Sequence, residues 1–333
     1  MIALMESTPH SPLVFVCGHR KSGTTLFANL LDGHPQLAVY PFDLTLLYAY
    51  FPEYLRAHAA PAERRARLQR IVFDELTLQL PRQALDIAGM AERFFAGLPD
   101  DALGEPAALI GRLMAVFQAV AGGAGAKWGV FKETSVEIYA AEILGWFPDA
   151  RFIHLLRDPR DNFAALAAGV DKHYSRLGED HNRTLASLLN RARLAFQMAR
   201  QNRANYGEAR YHLLRFEDLA AAPEKAMRGV AAFLGIEFDP CLLRPTVLGH
   251  PAGGNAFDGV ASFEVSARNV GRWRERISAE DAQVIEFHLG DEMKAFGYAP
   301  AFESAAQARA AAEFYKWQNY AYFYGDRFAL AAQ

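Results

Sequence analysis

LVFVCGHRKSGTTLFANLLDG, residues 13–33, decides how the rest of the chain is read. Leu13 to Cys17 is a short apolar, partly β-branched run that stops at Gly18. Beyond it, Leu26, Phe27, Leu30 and Leu31 recur at helical spacing, so the stretch predicts strand, turn and helix. The residues of the turn suit an anion. Gly18 and Gly23 let the backbone curl until its N–H groups converge, Ser22, Thr24 and Thr25 add hydroxyls, and the opening helix adds free N–H groups and a positive dipole end. Gly18, Gly23 and Thr25 match the spacing G-x-x-x-x-G-K-[ST] of nucleotide triphosphatases, but Thr24 stands at the lysine position. The lysine here is Lys21, before the second glycine, so it approaches a bound anion from the other side of the loop. A chain with 7 Lys against 28 Arg makes both Lys21 and the later Lys132 notable.

Working outward, Leu37 to Tyr40 predicts a second strand, leading into Pro41, Phe42 and Asp43. Residues 43–126 carry Ala-, Leu-, Glu- and Arg-rich stretches broken by prolines, the pattern of several helices inserted between strands. The Arg-rich run from Pro61 shares its helix with Glu63 and has no interleaved aromatics, which fits a solvated face better than a nucleic-acid patch. After the AGGAGA loop at 121–126, Trp128 to Lys132 predicts a third strand ending in Lys132-Glu133-Thr134, and residues 134–147 a helix. RFIHLL, residues 151–156, is the most strand-like run. It ends in Arg157-Asp158-Pro159-Arg160-Asp161, where Pro159 and Asp161 suit a helix start. The arginines there form either a phosphate grip or a salt-bridge knot with Asp158 and Asp161. An apolar strand ending in a magnesium-binding Asp does not fit, because the run ends in Arg157. Further helices are expected at 180–206 and 279–297, and the aromatics of 312–328 suit packing, an acceptor pocket or a homodimer face.

Composition sets outer bounds. The chain has 333 residues, 51% hydrophobic content, a net charge of -3 and a sequence pI near 6.4. These values suit a globular protein with no general attraction for nucleic acid or anionic membranes. Two cysteines, Cys17 and Cys241, give no disulfide framework and fit a reducing compartment. The first twelve residues lack an apolar signal core and no later run approaches a membrane span, so a cytoplasmic protein is expected. Ten histidines without H-E-x-x-H or C-x-x-C spacing lead to an expectation of no metal.

The loop Lys21-Ser22-Gly23-Thr24-Thr25, the His34-Pro35 step, RFIHLLRDPRD at 151–161, YHLLRFEDLAAAPEKAMRGVAAFLGI at 211–236 and SARNVGRWR at 266–274 occur in an order that resembles the sulfotransferases dependent on 3′-phosphoadenosine 5′-phosphosulfate, particularly the bacterial branch and the related tyrosylprotein enzymes. The resemblance implies an α/β fold: a three-layer, P-loop-type parallel sheet flanked by helices, with a helical insertion at 43–126 and a helical C-terminal tail at 301–333, all within one domain of 1–333. It implies transfer of a sulfuryl group from 3′-phosphoadenosine 5′-phosphosulfate to a hydroxyl or amine of a small-molecule, carbohydrate, lipid or peptide acceptor, without a metal.

By resemblance, Arg20, Lys21, Ser22, Gly23, Thr24 and Thr25 hold the 5′-phosphosulfate and Arg157 the 3′-phosphate. Arg160, Phe216, Arg268, Gly271, Arg272 and Trp273 complete the cofactor contacts. Lys21 and Lys132 are the catalytic lysines and Asp43 the base, with Glu133 and Glu53 as alternatives. The serine that relatives often carry eight residues after the strand-end arginine is Ala165 here. That removes one hydrogen bond to a charged group, worth roughly 1.5–3 kcal/mol. The alternatives are a P-loop kinase or NTPase, which the displaced lysine disfavours, and a catalytically silent nucleotide-binding module.

Overall fold

The computed structural model describes residues 11–51, 59–81, 84–170, 180–253 and 265–331. The chain divides into two compact units, one made of 1–156, 198–255 and 261–265, the other of 157–197, 256–260 and 266–333.

The first unit is built on five parallel strands: β1 (Leu13–Gly18), β2 (Leu37–Asp43), β3 (Trp128–Lys132), β4 (Arg151–Leu156) and β5 (Tyr211–Arg215), in the order β2-β3-β1-β4-β5. The sequence places β3 and β4 with these bounds, and β1 one residue shorter, at Leu13 to Cys17. β2 runs three residues further than Tyr40, and its pairing with β3 shifts register between Val39 and Asp43, so that Asp43 is paired with Lys132. Parallel strands covered on both faces lose the polar alternation of a half-exposed sheet. β1 shows why: Leu13, Phe15 and Cys17 enter one hydrophobic cluster with Phe131, Phe152 and Tyr211, while Val14 and Val16 enter another with Phe27, Leu30, Val130, Ile153 and Met227.

The first cluster is closed by the insertion, whose helices include Pro61–Leu68, Ile87–Phe95 and Pro106–Ala121. Gly122, with φ 78°, ends the last of these and opens the predicted loop. Arg65 pairs with Asp100 on the surface of the insertion, in line with the solvated reading of the Arg-rich run. The second cluster is closed by helix α1 (Thr24–Leu31) and the helix Pro223–Leu234. The helix expected over 134–147 starts late. Ser135 adopts φ 70°, a 3-10 turn covers Val136–Tyr139, and the α-helix spans Ala140–Trp146. His34 is buried, its Nε2 against the Glu237 carbonyl at 3.0 Å, so the His34-Pro35 step fastens the end of α1 to the later chain.

The second unit is helical, with Pro159–Ala167 at its start and the helices Ala279–Ala295 and Ser304–Ala331 at its end. The long predicted helix, His181–Tyr206, begins in this unit and ends in the other. A capping box of Ser278 and Asp281 starts the Ala279 helix. Glu286 on that helix is buried and fully engaged, accepting from Arg160, the Ala301 and Phe302 amides and Gln307. Among the C-terminal aromatics, Phe314 is buried and Tyr315 is exposed; those at 320, 322–324 and 328 lie outside the described side chains. Among the described residues no helix is long and apolar enough to cross a membrane.

Candidate functional site

The turn after β1 is set by backbone conformations that ordinary residues avoid. Gly18 has φ 135° and Gly23 φ 98°, and Lys21 itself sits at φ 66°. A left-handed non-glycine costs about 1 kcal/mol or more, a strain typical of functional loops. The Ser22 amide donates to the His19 carbonyl at 3.0 Å, and the Phe27 amide donates to Gly23 at 2.9 Å to begin α1. Neither glycine leaves room for a side chain. A Cβ at Gly18 would lie 2.3 Å from the Leu155 carbonyl oxygen on neighbouring β4, and one at Gly23 2.6 Å from Phe216 Cδ2. Phe216 therefore backs the loop from the start of the Phe216–Ala221 helix. Ser22 is fully buried and its Oγ has no hydrogen-bond partner, while Thr24 is buried at the first position of α1. A buried hydroxyl with an unmet hydrogen bond, at the mouth of a helix N-terminus, fits a phosphate or sulfate oxygen. Arg20, Lys21 and Thr25 are half-buried on the same turn.

Beside the loop, β3 delivers Lys132 and β2 delivers Asp43. Their register places them together, and the structure joins them as an ion pair. Lys132 Nζ also reaches Thr25 Oγ1, at a long 3.4 Å, which ties the strand end to the loop. Lys132 is 9% exposed; burial holds its ammonium below the ordinary lysine range, with the Glu133 carboxylate opposing that shift. Glu133 is pushed up by burial, against the pull of Lys132 and a hydrogen bond from the Thr134 hydroxyl at 3.1 Å. One Glu133 oxygen, Oε2, is buried without a hydrogen-bond partner. Of the three carboxylates considered as a base, Asp43 is partly exposed beside a lysine, Glu133 is enclosed, and Glu53 lies outside the described residues.

In the second unit, Arg157 is the first residue after β4. It is 9% exposed, and its Nη2 donates to the Asn269 carbonyl at 2.9 Å. Asp161 organises the segment around it. Its two oxygens accept from the Gly271 amide at 2.6 Å and the Trp273 amide at 2.9 Å, so 271–273 is pinned to the Pro159–Ala167 helix. Burial raises Asp161 above the ordinary carboxylate value, while Arg157 and the two amides act to lower it. From the sequence Asp161 is a helix-start residue or a salt-bridge partner of the neighbouring arginines; nothing in spacing alone links it to positions 110 residues later.

Arg160 takes the other of its two readings, the knot. It is buried, bonded to both Asp158 oxygens, to Glu286 and to the Ala299 carbonyl, and its Cζ lies 4.3 Å from the centre of the Trp273 ring. Those contacts hold the guanidinium in place, and Arg274 also lies over the Trp273 ring. Arg272 pairs with Glu275, and Arg268 is half-buried in the 3-10 turn Ala267–Asn269.

A parallel sheet with a glycine-rich, lysine-bearing turn between β1 and α1 defines an α/β protein of the P-loop type. More specifically, the chain belongs to the sulfotransferase family, whose model matches residues 12–240. Mouse carbohydrate sulfotransferase 3 is 27% identical over 169 residues, covering 47% of this chain and 36% of its own length; the human protein is 28% identical over 174 residues, covering 47% and 35%. The chain thus matches about a third of the length of these curated relatives. Two solved structures share the fold with a TM-score of 0.54: a sulfotransferase domain from the olefin synthase of Synechococcus PCC 7002, 21% identical over 86% of this chain and 94% of that one, and one from the curacin biosynthetic pathway, 17% identical over 84% and 97%.

Proposed function

We propose that this protein transfers a sulfuryl group from 3′-phosphoadenosine 5′-phosphosulfate to a hydroxyl or amine, with residues 1–333 acting as one sulfotransferase domain. The observation that carries the reading is the loop: two glycines with no room for a Cβ, a lysine held in a left-handed conformation, and a buried Ser22 hydroxyl with an unmet hydrogen bond. The bound phosphosulfate would supply an activated sulfuryl group and a phosphate leaving group. Its 5′ end is assigned to Arg20, Lys21, Ser22, Gly23, Thr24 and Thr25, and its 3′-phosphate to Arg157, with Arg268 and the Gly271–Arg272 segment, which flank the Asn269 carbonyl that accepts from Arg157. Ala165 offers no hydroxyl there, and Arg160 is engaged elsewhere.

The residues present do what such a reaction requires. Fixed N–H groups and hydroxyls at the loop offset negative charge without reorganising, and Lys21 adds a point charge. Lys132 adds a second cation that burial keeps responsive to its surroundings, and Asp43, in contact with it, is the candidate to take the acceptor's proton. Carbohydrates are the acceptors named for the curated relatives, which favours a hydroxyl-bearing acceptor here over an amine. The family match, together with the lysine displaced from the triphosphatase position, favours this reading over a kinase or NTPase.

Lys21 gives the direct test. If it offsets charge developing on the leaving phosphate, Lys21→Ala lowers kcat by at least about tenfold while the cofactor KM moves less, since only an interaction that strengthens as the bond breaks acts on kcat. Lys21→Arg recovers part of the rate, because a planar fork does not reproduce a point charge in a tight turn. A raised cofactor KM with kcat intact would remove Lys21 from the catalytic set.

A further inference from the structure

One group of reactive side chains plays no part in sulfuryl transfer. Cys17 at the end of β1, Glu137 in the 3-10 turn Val136–Tyr139 and His154 in β4 each point one ligand-type atom into a common space, and these atoms lie within 4.8 Å of one another. All three residues are buried, at 0%, 2% and 0% exposure, and Cys17 is a free thiol. Tyr211 on β5 completes the surroundings. Its hydroxyl is 2.7 Å from His154 Nδ1 and 3.9 Å from Cys17 Sγ, and it accepts from Asn202 Nδ2 at 3.3 Å. Asn202 also donates to the Glu137 carbonyl at 2.8 Å, which holds the turn carrying Glu137.

The hydrogen bonds do not close as they stand. His154 Nε2 is buried and has no hydrogen-bond partner. A neutral imidazole places its proton on one nitrogen, so Nε2 is either an unmet donor or an unmet acceptor, and native interiors rarely leave such an atom alone.

From these side chains we infer a buried metal site: Cys17, Glu137 and His154 bind one divalent ion of the zinc type. A thiolate, an imidazole and a carboxylate form the mixed S/N/O set that zinc takes and that magnesium and calcium do not. Ligands at zinc's bond lengths stand roughly 3.3–3.8 Å apart around a tetrahedron, so the cluster needs to close by about 1 Å. Charge balances as well. Binding displaces the Cys17 thiol proton to solvent, and the thiolate and carboxylate then neutralise the doubly charged ion, leaving a site with no net charge to bury. The polar network closes around it. His154 gives Nε2 to the metal and donates Nδ1–H to the Tyr211 oxygen, which frees the Tyr211 O–H for the Cys17 sulfur, the kind of support that orients a ligating histidine. All three ligand residues are buried, a water would complete the tetrahedron, and the ion would brace the strand that leads into the Gly18–Gly23 turn.

The test is metal analysis of the untagged full chain, expressed in zinc-supplemented medium and dialysed without chelator, followed by cobalt(II) exchange. The expected result is about one zinc per chain, and a sulfur-to-cobalt charge-transfer band that Cys241→Ser keeps and Cys17→Ser abolishes with at least a roughly tenfold loss of bound metal. His154→Gln and Glu137→Gln, which preserve bulk, weaken binding in the same assay. Should folded wild-type protein, judged by circular dichroism, bind less than about a tenth of an equivalent, or should Cys17→Ser retain its metal, the site is a metal-free hydrogen-bonded cluster and the inference is wrong.

Discussion

At the scale of single residues, the proposed chemistry turns on the pair formed by Lys132 and Asp43. A lysine that is 9% exposed needs nearby anions to stay charged; Glu133 supplies one, and Asp43, in contact with the ammonium, a second. Replacing Asp43 by Asn removes both that anion and the candidate proton acceptor. The first effect shifts the Lys132 pKa further down. Because the protonated ammonium is the active form, activity is present below that pKa and lost as pH rises through it, so the alkaline limb of the kcat/KM profile moves to lower pH. The second effect lowers kcat at every pH, by the roughly 10²- to 10⁴-fold that general bases contribute. A pH profile of Asp43→Asn separates them: a moved limb with nearly full kcat at its optimum assigns Asp43 to holding the lysine, and a uniform loss assigns it to proton transfer. Lys132→Ala should abolish the dependence of the alkaline limb on Asp43 altogether.

At the scale of elements, the join between β1 and α1 is where substitution is least tolerated, and the two glycines there differ in kind. Gly18 faces a backbone oxygen of β4, which cannot move without shifting the sheet, whereas Gly23 faces the ring of Phe216, which can turn. Gly18→Ala is therefore expected to cost several kcal/mol and to lower the yield of folded protein, and Gly23→Ala roughly 1–3 kcal/mol. Chemical denaturation of both variants checks the order; equal losses would mean that the loop relaxes as a whole. Much of this element was legible in the chain itself, because Gly18, Gly23 and the apolar run from Leu13 are local signals, and so were the ends of β3 and β4. Other parts were not. The extension of β2 to Asp43 rests on pairing with Lys132, some 90 residues away, and the late start of the helix after β3 rests on Ser135 taking a left-handed conformation that no local pattern requires. Asp161 and the Cys17, Glu137 and His154 cluster are likewise assembled by the fold from distant positions, so spacing rules for metal ligands or phosphate grips pass over them.

For the whole molecule, the central claim is the identity of the nucleotide. The proposed sulfuryl transfer requires a site for adenosine 3′,5′-bisphosphate, whereas a P-loop kinase would require one for ATP with magnesium, and the role proposed for Arg157 separates the two. The most direct measurement is thermal unfolding of the full chain with adenosine 3′,5′-bisphosphate, AMP or ATP plus magnesium, repeated on Arg157→Ala. At about 100 times its Kd a ligand adds roughly 2.7 kcal/mol, several degrees for a protein of this size. The bisphosphate is predicted to give that shift in the presence of EDTA, AMP to give much less, and Arg157→Ala to erase the difference between them. A shift from ATP with magnesium that matches or exceeds that from the bisphosphate, or equal shifts from AMP and the bisphosphate, would contradict the account.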